Sequence, residues 1–387
     1  MAGEIVSVVV GGVTYRGFEQ VKVRGGVKEA ARSFELKVAA EAGPSAVASI
    51  FQPFTPVQIF AAMEGGGSGS DDDDLGDLVF TGYVDRYRPK LSKSEAHITI
   101  SGRAKGQDAV DSSVEHRKSD YVNQTSLAIA QDQDIFGIGF SIDAGLTLTP
   151  QDRWRPNPGQ TLFHSLDALS HDDECTMAGQ PDGSIKMTQA GVNPPRQPTP
   201  LIEGVNILVG EADFNVSGRH SSVNVHGQAA YGNGAQNTQI SATATDQTVP
   251  RTRPIHIHHH HHTDQGRISR KATHHRDHEA GNAIKATITA QGWHDDSGML
   301  WTPGNVVWTE SPFLALAQDM LIEAVEYMQD DKEGSLTKLE LVDPRAHGGQ
   351  GGGVNQSGKS WNMDSSDAQP SLATPASAEP PQGSGLF

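Results

Sequence analysis

The chain has 387 residues, with 30 Lys and Arg against 47 Asp and Glu, a net charge of −17, 42 Gly, 21 Pro and 6% aromatic residues. That length holds roughly two to four domains, rich in short strands and turns, and its negative surface repels duplex DNA, which excludes sequence-specific nucleic acid as a partner. Cys175 is the single cysteine, so no intrachain disulfide forms, and no apolar run reaches the roughly 20 residues that cross a bilayer, so no membrane partner is expected.

Residues 1–105 read as a compact β-barrel. Phe34, Leu36 and Val38 alternate with Glu35 and Lys37, and Val21/Val23, Val57/Ile59, Leu78/Phe80 and Ile98/Ile100 repeat that period of two. Gly11-Gly12 and Gly25-Gly26 are expected in turns between strands. The segment Gly65–Asp77, with the Asp71–Asp74 run, is an inserted loop. Its aspartates lack the alternating spacing and closing glutamate of a calcium loop, so a solvated tip is expected.

Residues 106–204 read as a mixed α+β middle region. Gln124–Gln131 has weak helical character, and Leu162, Phe163, Leu166 and Leu169 make an apolar stripe on a helix that starts after Pro158-Gly159. Gly179–Gly183 is a hairpin turn between Thr176-Met177 and Ile185-Met187. His171–Cys175 places a histidine near the cysteine without an activating partner, so a surface turn is expected there.

Residues 205–345 read as a second β-barrel domain, with Val223 and Val225 near its start and a helix over Gln265–Ala280. Ile284–Pro344 predicts two hairpins, the first turning at His294–Gly298 into Leu300-Trp301, the second turning at Asp330–Gly334 between Met320–Met328 and Leu336–Val342. Residues 346–387 form an extended low-complexity tail that cannot build a core and would gain order only against other chains.

The histidine run Ile255–His262 is the main candidate for chemistry. Side chains two apart on a strand share a face, so His256, His258, His260 and His262 are candidate ligands for a transition metal, or solvated or interfacial histidines that charge near pH 6. His274, His275 and His278 sit on the expected helix, but HHRDH has no glutamate beside its first histidine, and Asp277 is not where a zinc protease keeps its base. No catalytic constellation emerges, and no cofactor is expected apart from that metal.

Three stretches carry a resemblance: TYRGFEQVKVRGGVKEAARSFELKVA near the N-terminus, Phe80–Ser113 ending in ISGRAKGQDAVDSS, and ITAQGW, LWTPGNVV, DMLIEAVEY and LTKLELVDP in the last domain. In this order they resemble the baseplate hub proteins of contractile-tailed bacteriophages, the phage Mu hub and late control protein D family. The resemblance implies a mainly β fold with α+β parts: two similar small β-barrel, tube-like domains plus small mixed middle domains. It implies a homotrimer, a symmetry adaptor whose six barrels join a six-fold tail tube protein to a three-fold central spike protein in the virion baseplate. Other baseplate proteins, the tape measure protein among them, are further expected partners, with assembly in the host cytoplasm. Asp85, Arg86, Arg88, Arg103 and Asp108 are candidate interface residues. The other readings are a hub-associated cell-wall hydrolase and the hub of a tailocin or secretion-like contractile device.

Overall fold

The computed structural model describes residues 4–349 apart from 40–43, 64–74, 94–95, 116–117, 119, 158, 229–239 and 263–264. The Asp71–Asp74 run and the tail beyond residue 349 lie outside the described residues. The mainly β fold class holds. The first region contains β1 (Glu4–Val10), β2 (Val13–Tyr15), β3 (Gln20–Gly26), β4 (Ser33–Ala39), α1 (Pro44–Ile50), β5 (Pro56–Met63), β6 (Asp77–Leu91) and β7 (Ala96–Ala104). These include all five strands read from alternation, because each buries one face: Val21, Val23, Phe34, Leu36, Ile59, Phe80, Ile98 and Ile100 enter one core.

The middle region holds α2 (Gln107–Asp111), β8 (Tyr121–Gln124), α3 (Ser126–Gln133), β9 (Phe140–Ile142), β10 (Gln151–Trp154), α4 (Leu162–Asp172), β11 (Thr176–Gly179) and β12 (Ile185–Thr188). Thr125 and Thr161 cap α3 and α4, their hydroxyls accepting from the amides of Ala128 and His164 at 3.3 Å. The predicted 176–187 hairpin is β11–β12, and Leu162, Leu166 and Leu169 pack on a core of their own.

The last region contains β13 (Leu201–Ile202), β14 (Ile207–Phe214), β15 (Ser222–Gln228), β16 (Ile240–Thr245), β17 (Pro254–His262), α5 (Gln265–Asn282), β18 (Ile284–Gln291), β19 (Val306–Ser311), β20 (Leu316–Asp330) and β21 (Gly334–Val342). The β20–β21 hairpin is the second one predicted. The first differs. Leu300 makes only an isolated bridge to His294, and β18 pairs instead with β14 and β21. Trp293 and Trp301 explain this, since both turn into the core and occupy the loop with packing rather than a ladder. Ala346 and His347, in a 3-10 turn over Pro344–His347, are buried, so the folded chain continues past the expected boundary at residue 345.

Both β-rich regions belong to one sheet, ordered β14-β18-β21-β20-β3-β4-β7-β6-β5-β1-β2, with β19 beside β20 and β13 beside β19. The regions meet where β20 pairs with β3, from Ala324 opposite Gly26 to Asp330 opposite Gln20. Gly25 and Gly26 therefore end a strand and do not form a turn. A Cβ on Gly25 would lie 2.8 Å from Arg32 Cγ, and one on Gly26 would lie 3.0 Å from the Glu323 carbonyl oxygen. Arg32 is buried beneath this seam, donating to the Val79 carbonyl of β6 at 3.0 Å and the Gly179 carbonyl of the middle region at 3.3 Å. Tyr327 of β20 faces the same guanidinium, and burial pushes its phenol up to about 12. Lys28 and His347 both bond Glu323. Burial would raise that carboxyl, but these two hydrogen bonds outweigh it and hold it at about 2.

The sheet contains the same unit twice. Strands β3-β4-β7-β6-β5 and β14-β18-β21-β20-β19 have matching order and antiparallel sense. The long strands β6 and β20 have 15 residues each, and each slips register once against its hairpin partner, after Val84 and after Ile322. Tyr83 faces Pro56, where β5 begins, as Leu321 faces Val306, where β19 begins. The second unit differs by an insertion between its first two strands: the sheet β16-β15-β17, covered by α5 through Ile268 and Ala272.

A buried clasp also joins the two ends. His294 Nδ1 lies 2.9 Å from Glu4 Oε2 of β1, and its Nε2 lies 3.1 Å from Asp77 Oδ2 of β6. Glu4 Oε1 accepts from the amides of Trp293 and His294 at 2.9 and 3.0 Å. Burial lowers the His294 pKa, but the hydrogen bond and charge of Glu4, with Asp77, raise it overall. Burial raises Glu4, yet its bonds to His294 bring it below the usual carboxylate range.

Two outcomes follow from the seam and the clasp. Gly25→Ala forces a buried, hydrogen-bonded Arg32 to move, and should cost about 1–3 kcal/mol by urea unfolding; an unchanged midpoint would show that Arg32 has room to give. A raised His294 pKa stabilises fully below its unfolded value and is lost as pH rises through its folded value. A lowered Glu4 pKa stabilises above its unfolded value and is lost on acidification. The stability gap between wild type and Glu4→Gln should therefore be widest between about pH 4.5 and 6.5 and should narrow as pH rises through the raised His294 value; a gap independent of pH would mean that His294 is uncharged in the folded chain.

Candidate functional site: the histidine face and the flagged residues

β17 runs parallel to β15, with His256 opposite Asn224 and His258 opposite His226. Alternation places Ile255 and Ile257 toward α5 and leaves His256 and His258 exposed. The side chains of His260 and His262 lie outside the described residues. His226, on β15, joins the face: its ring stacks on His256 with centroids 5.3 Å apart, its Nε2 lies 3.0 Å from His256 Nδ1, and its centroid is 5.5 Å from that of His258. No period in the sequence links His226 to the run, since His226 and His256 lie 30 residues apart with β16 between them. Among the described residues, no group of three or more His, Cys, Asp or Glu is arranged to hold a metal ion.

The helix histidines do structural work. Glu279 Oε1 lies 2.6 Å from His220 Nδ1 and 3.3 Å from His275 Nε2, tying α5 to the segment before β15. Burial lowers the His278 pKa to about 4, with Lys28 and His274 adding to the effect, so its ring is neutral at pH 7. Asp277 is bound to Arg276 at 2.7 Å. Beside them lies a polar recess of about 200 Å³ that includes Arg219, Asp246, Arg276 and Arg345, where Arg219 and Asp246 pair at 2.6 Å, both nearly buried. Each of its arginines has a carboxylate partner, Asp246 for Arg219, Asp277 for Arg276 and, outside the recess, Asp343 for Arg345.

Cys175 differs from the expected surface turn. It is buried in the middle core, its thiol donates to the Asp173 carbonyl at 3.2 Å, and burial first, then Asp173 and Glu174, pushes its pKa up to about 12. A thiol so far from ionising is no nucleophile. The turn chemistry around it is correct, but Cys175, the residue before β11, is packed into the middle core. Among the candidate interface charges, Arg103 of β7 binds Asp85 of β6 at 2.5 Å and Asp111 of α2 at 3.1 Å. Asp108 stands near the same group, its pKa raised by burial and then by Asp111 and Asp85. Arg86 and Arg88 are exposed on β6.

Comparison with known proteins fits this layout. Residues 5–104 match the N-terminal domain of Mu phage baseplate assembly protein GpP-like proteins, and residues 266–349 match the fourth domain of Mu phage baseplate assembly protein GpP. The baseplate hub protein gp44 of Escherichia phage Mu is 25% identical over 282 residues, covering 69% of this chain and 73% of that protein. Two crystal structures share the fold. The prophage MuSo2 43 kDa tail protein from Shewanella oneidensis has a TM-score of 0.74 at 23% identity, over 89% of this chain and 99% of its own. The tail protein from Neisseria meningitidis MC58 has a TM-score of 0.70 at 19% identity, with the same coverage. With both ends of its sheet matched in order and the hub protein matched across most of its length, the chain is similar to the Mu-type phage baseplate hub proteins.

Proposed function

We propose that this hub acts as a homotrimer that adapts a six-fold tail tube to a three-fold central spike. The observation that carries the reading is the doubled five-stranded unit. Three copies of a chain with two equivalent units present six near-equivalent surfaces on one side while keeping three-fold symmetry on the other. The role is geometric. The doubled sheet continues the tube, and the middle region, held to it through Arg32 and close backbone packing, faces the other baseplate partners, the spike and tape measure proteins among them. Gly106 and Gly179 support that rigidity, since a Cβ on either would meet the Ala30 carbonyl oxygen at 2.5 or 2.7 Å. In this reading the protein resides in the virion baseplate after assembly in the host cytoplasm, and it works without catalysis. Cys175 and HHRDH offer a hydrolase neither nucleophile nor base.

The histidine face supports a second, narrower reading. His226, His256 and His258 lie on one surface without forming a three-ligand group among the described residues, so a transition metal there would draw ligands from more than one copy and act between protein surfaces.

Light scattering of the purified chain checks both. A three-chain mass, with three-fold rings carrying six lobes in electron micrographs, is the expected result; a single-chain mass at every concentration would overturn the trimer. Loss of that mass in EDTA would assign the histidines a metal, and an unchanged mass would remove it. Release of soluble fragments from cell-wall material by the purified protein would favour the hydrolase instead.

A further inference from the structure

The doubled unit makes one strand pairing within the chain and leaves its counterpart unmade. In the first unit, β3 lies against the second half of β20, the part that extends beyond β19. The counterpart of β20 is β6, and the counterpart of β3 is β14. The second half of β6 extends beyond β5, whose last pairing at that end is Pro56 with Tyr83; backbone bonds from Phe54 and Thr55 reach Val84 and stop there. Among the described residues, Asp85–Leu91 pairs on one edge only, with β7, and β14 pairs with β18 and otherwise makes only one isolated bridge, between Ile207 and Glu203 at its start. Both edges face solvent: Leu91 is 86% exposed and Val209 65%. Pro89, which cannot donate to a ladder, suits a strand that lies at an edge.

We propose that β14 of one copy pairs antiparallel with the second half of β6 of the next copy, repeating between chains the seam that β3 and β20 make within one. The inference rests on the trimeric reading above and supplies its interface. Register follows from the repeat. Through the hairpin slips, Arg86 corresponds to Ala324, Arg88 to Glu326 and Lys90 to Met328. Through the pairings with β4 and β18, Val23 corresponds to Ala212, Arg24 to Asp213 and Lys22 to Glu211. The internal seam sets Glu326 opposite Arg24 and Met328 opposite Lys22. Transferred to the free edges, it sets Arg88 opposite Asp213 and Lys90 opposite Glu211. Two opposite-charge pairs thus fall in register on edges whose order was fixed by backbone pairing alone, with charge reversed relative to the Glu326–Arg24 pair. All four side chains belong to exposed residues, and among the described residues none of them forms a salt bridge. Directly opposed charges of unlike sign stabilise an antiparallel pair and those of like sign destabilise it. Because the two edges differ, the contact is head-to-tail, and such contacts close into a ring when the rotation between copies allows it.

The test uses the full chain and light scattering. Arg88→Glu with Lys90→Glu should reduce the wild-type mass to that of one chain, and so should Glu211→Lys with Asp213→Lys. All four changes together should restore the wild-type mass, which separates a lost interface from a lost fold. A second variant, Arg88→Cys with Asp213→Cys, should form disulfides between chains under oxidation at high protein concentration, since opposed residues in an antiparallel pair lie about 4.5–5.5 Å apart at Cα, within disulfide reach. A three-chain mass that survives either charge reversal would overturn the seam and leave the trimer standing. A wild-type chain that stays single, with a cysteine pair that never links chains, would overturn both. Links between chains in the cysteine variant support the seam even where the unlinked assembly dissociates on dilution.

Discussion

The pairing of β3 with β20 is the constraint on which the rest of this molecule depends. Without it the two β-rich regions would be beads on a chain, separated by the middle region. With it they become one sheet over one core, from Val8 at one end to Ile288 at the other. The pairing is possible only because Gly25 and Gly26 let two backbones and a buried arginine share the space where side chains would stand. Arg32 then does what a purely apolar residue could not. From one position its guanidinium reaches carbonyl groups of the first sheet unit and of the middle region, beside the phenol of the second unit. A buried charge is costly unless it is fully hydrogen-bonded, so this residue is a strong reason for the three parts to adopt a single arrangement.

That rigidity matters for a hub. In the proposed role, a part that transmits position between a tube and a spike must not hinge between its own domains, and here close backbone approaches join the regions. Gly179 donates its amide to the Glu29 carbonyl at 2.8 Å, and Gly281 packs α5 against the turn at Arg345-Ala346 with no room for a Cβ. The link between β3 and β4 is thereby gripped from both sides. The insertion of β15–β17 and α5 is the exception, being attached mainly through α5 and carrying its own small core. It is where this chain adds its histidines, on a unit that can vary without disturbing the doubled sheet.

Much of the sheet was legible because a half-buried strand must alternate. β3 to β7, α3, α4, the β11–β12 hairpin and α5 all came from apolar period and turn residues. What periodicity cannot give is the partner of a strand. Gly25-Gly26 looked like a turn because glycine pairs usually are turns, and only the approach of β20 shows otherwise. Leu300-Trp301 looked like a strand because aromatic residues favour strands, but burial of the two tryptophans decided the loop. His226 was invisible for the same reason: its place beside His256 depends on a parallel pairing between distant strands. Cys175 looked like part of a surface turn because polar residues run up to it, and only the packing of the middle core shows that the side chain at the end of that turn is buried.

The doubled unit also explains why two equivalent joints need different chemistry. The joint inside the chain forms once, during folding, at the very high effective concentration that a covalent connection provides. It can therefore use glycine contacts and a buried cation, which gain stability but select no partner. A joint between separate chains must find its partner in solution and reject wrong ones, and there opposed charges contribute mainly to encounter and specificity. The residues at matching positions follow this division. In β3, Gly25 follows Arg24 and pairs with Val325 of β20, whereas at the matching position of β14 Phe214 follows Asp213. On the other side, Tyr327 is fully buried in the internal joint while its counterpart Pro89 lies exposed on β6. A free edge that carries charges and a proline is also protected against indiscriminate strand pairing. The same two features thus keep a single chain soluble and hold its edge for a copy that presents the opposite charges.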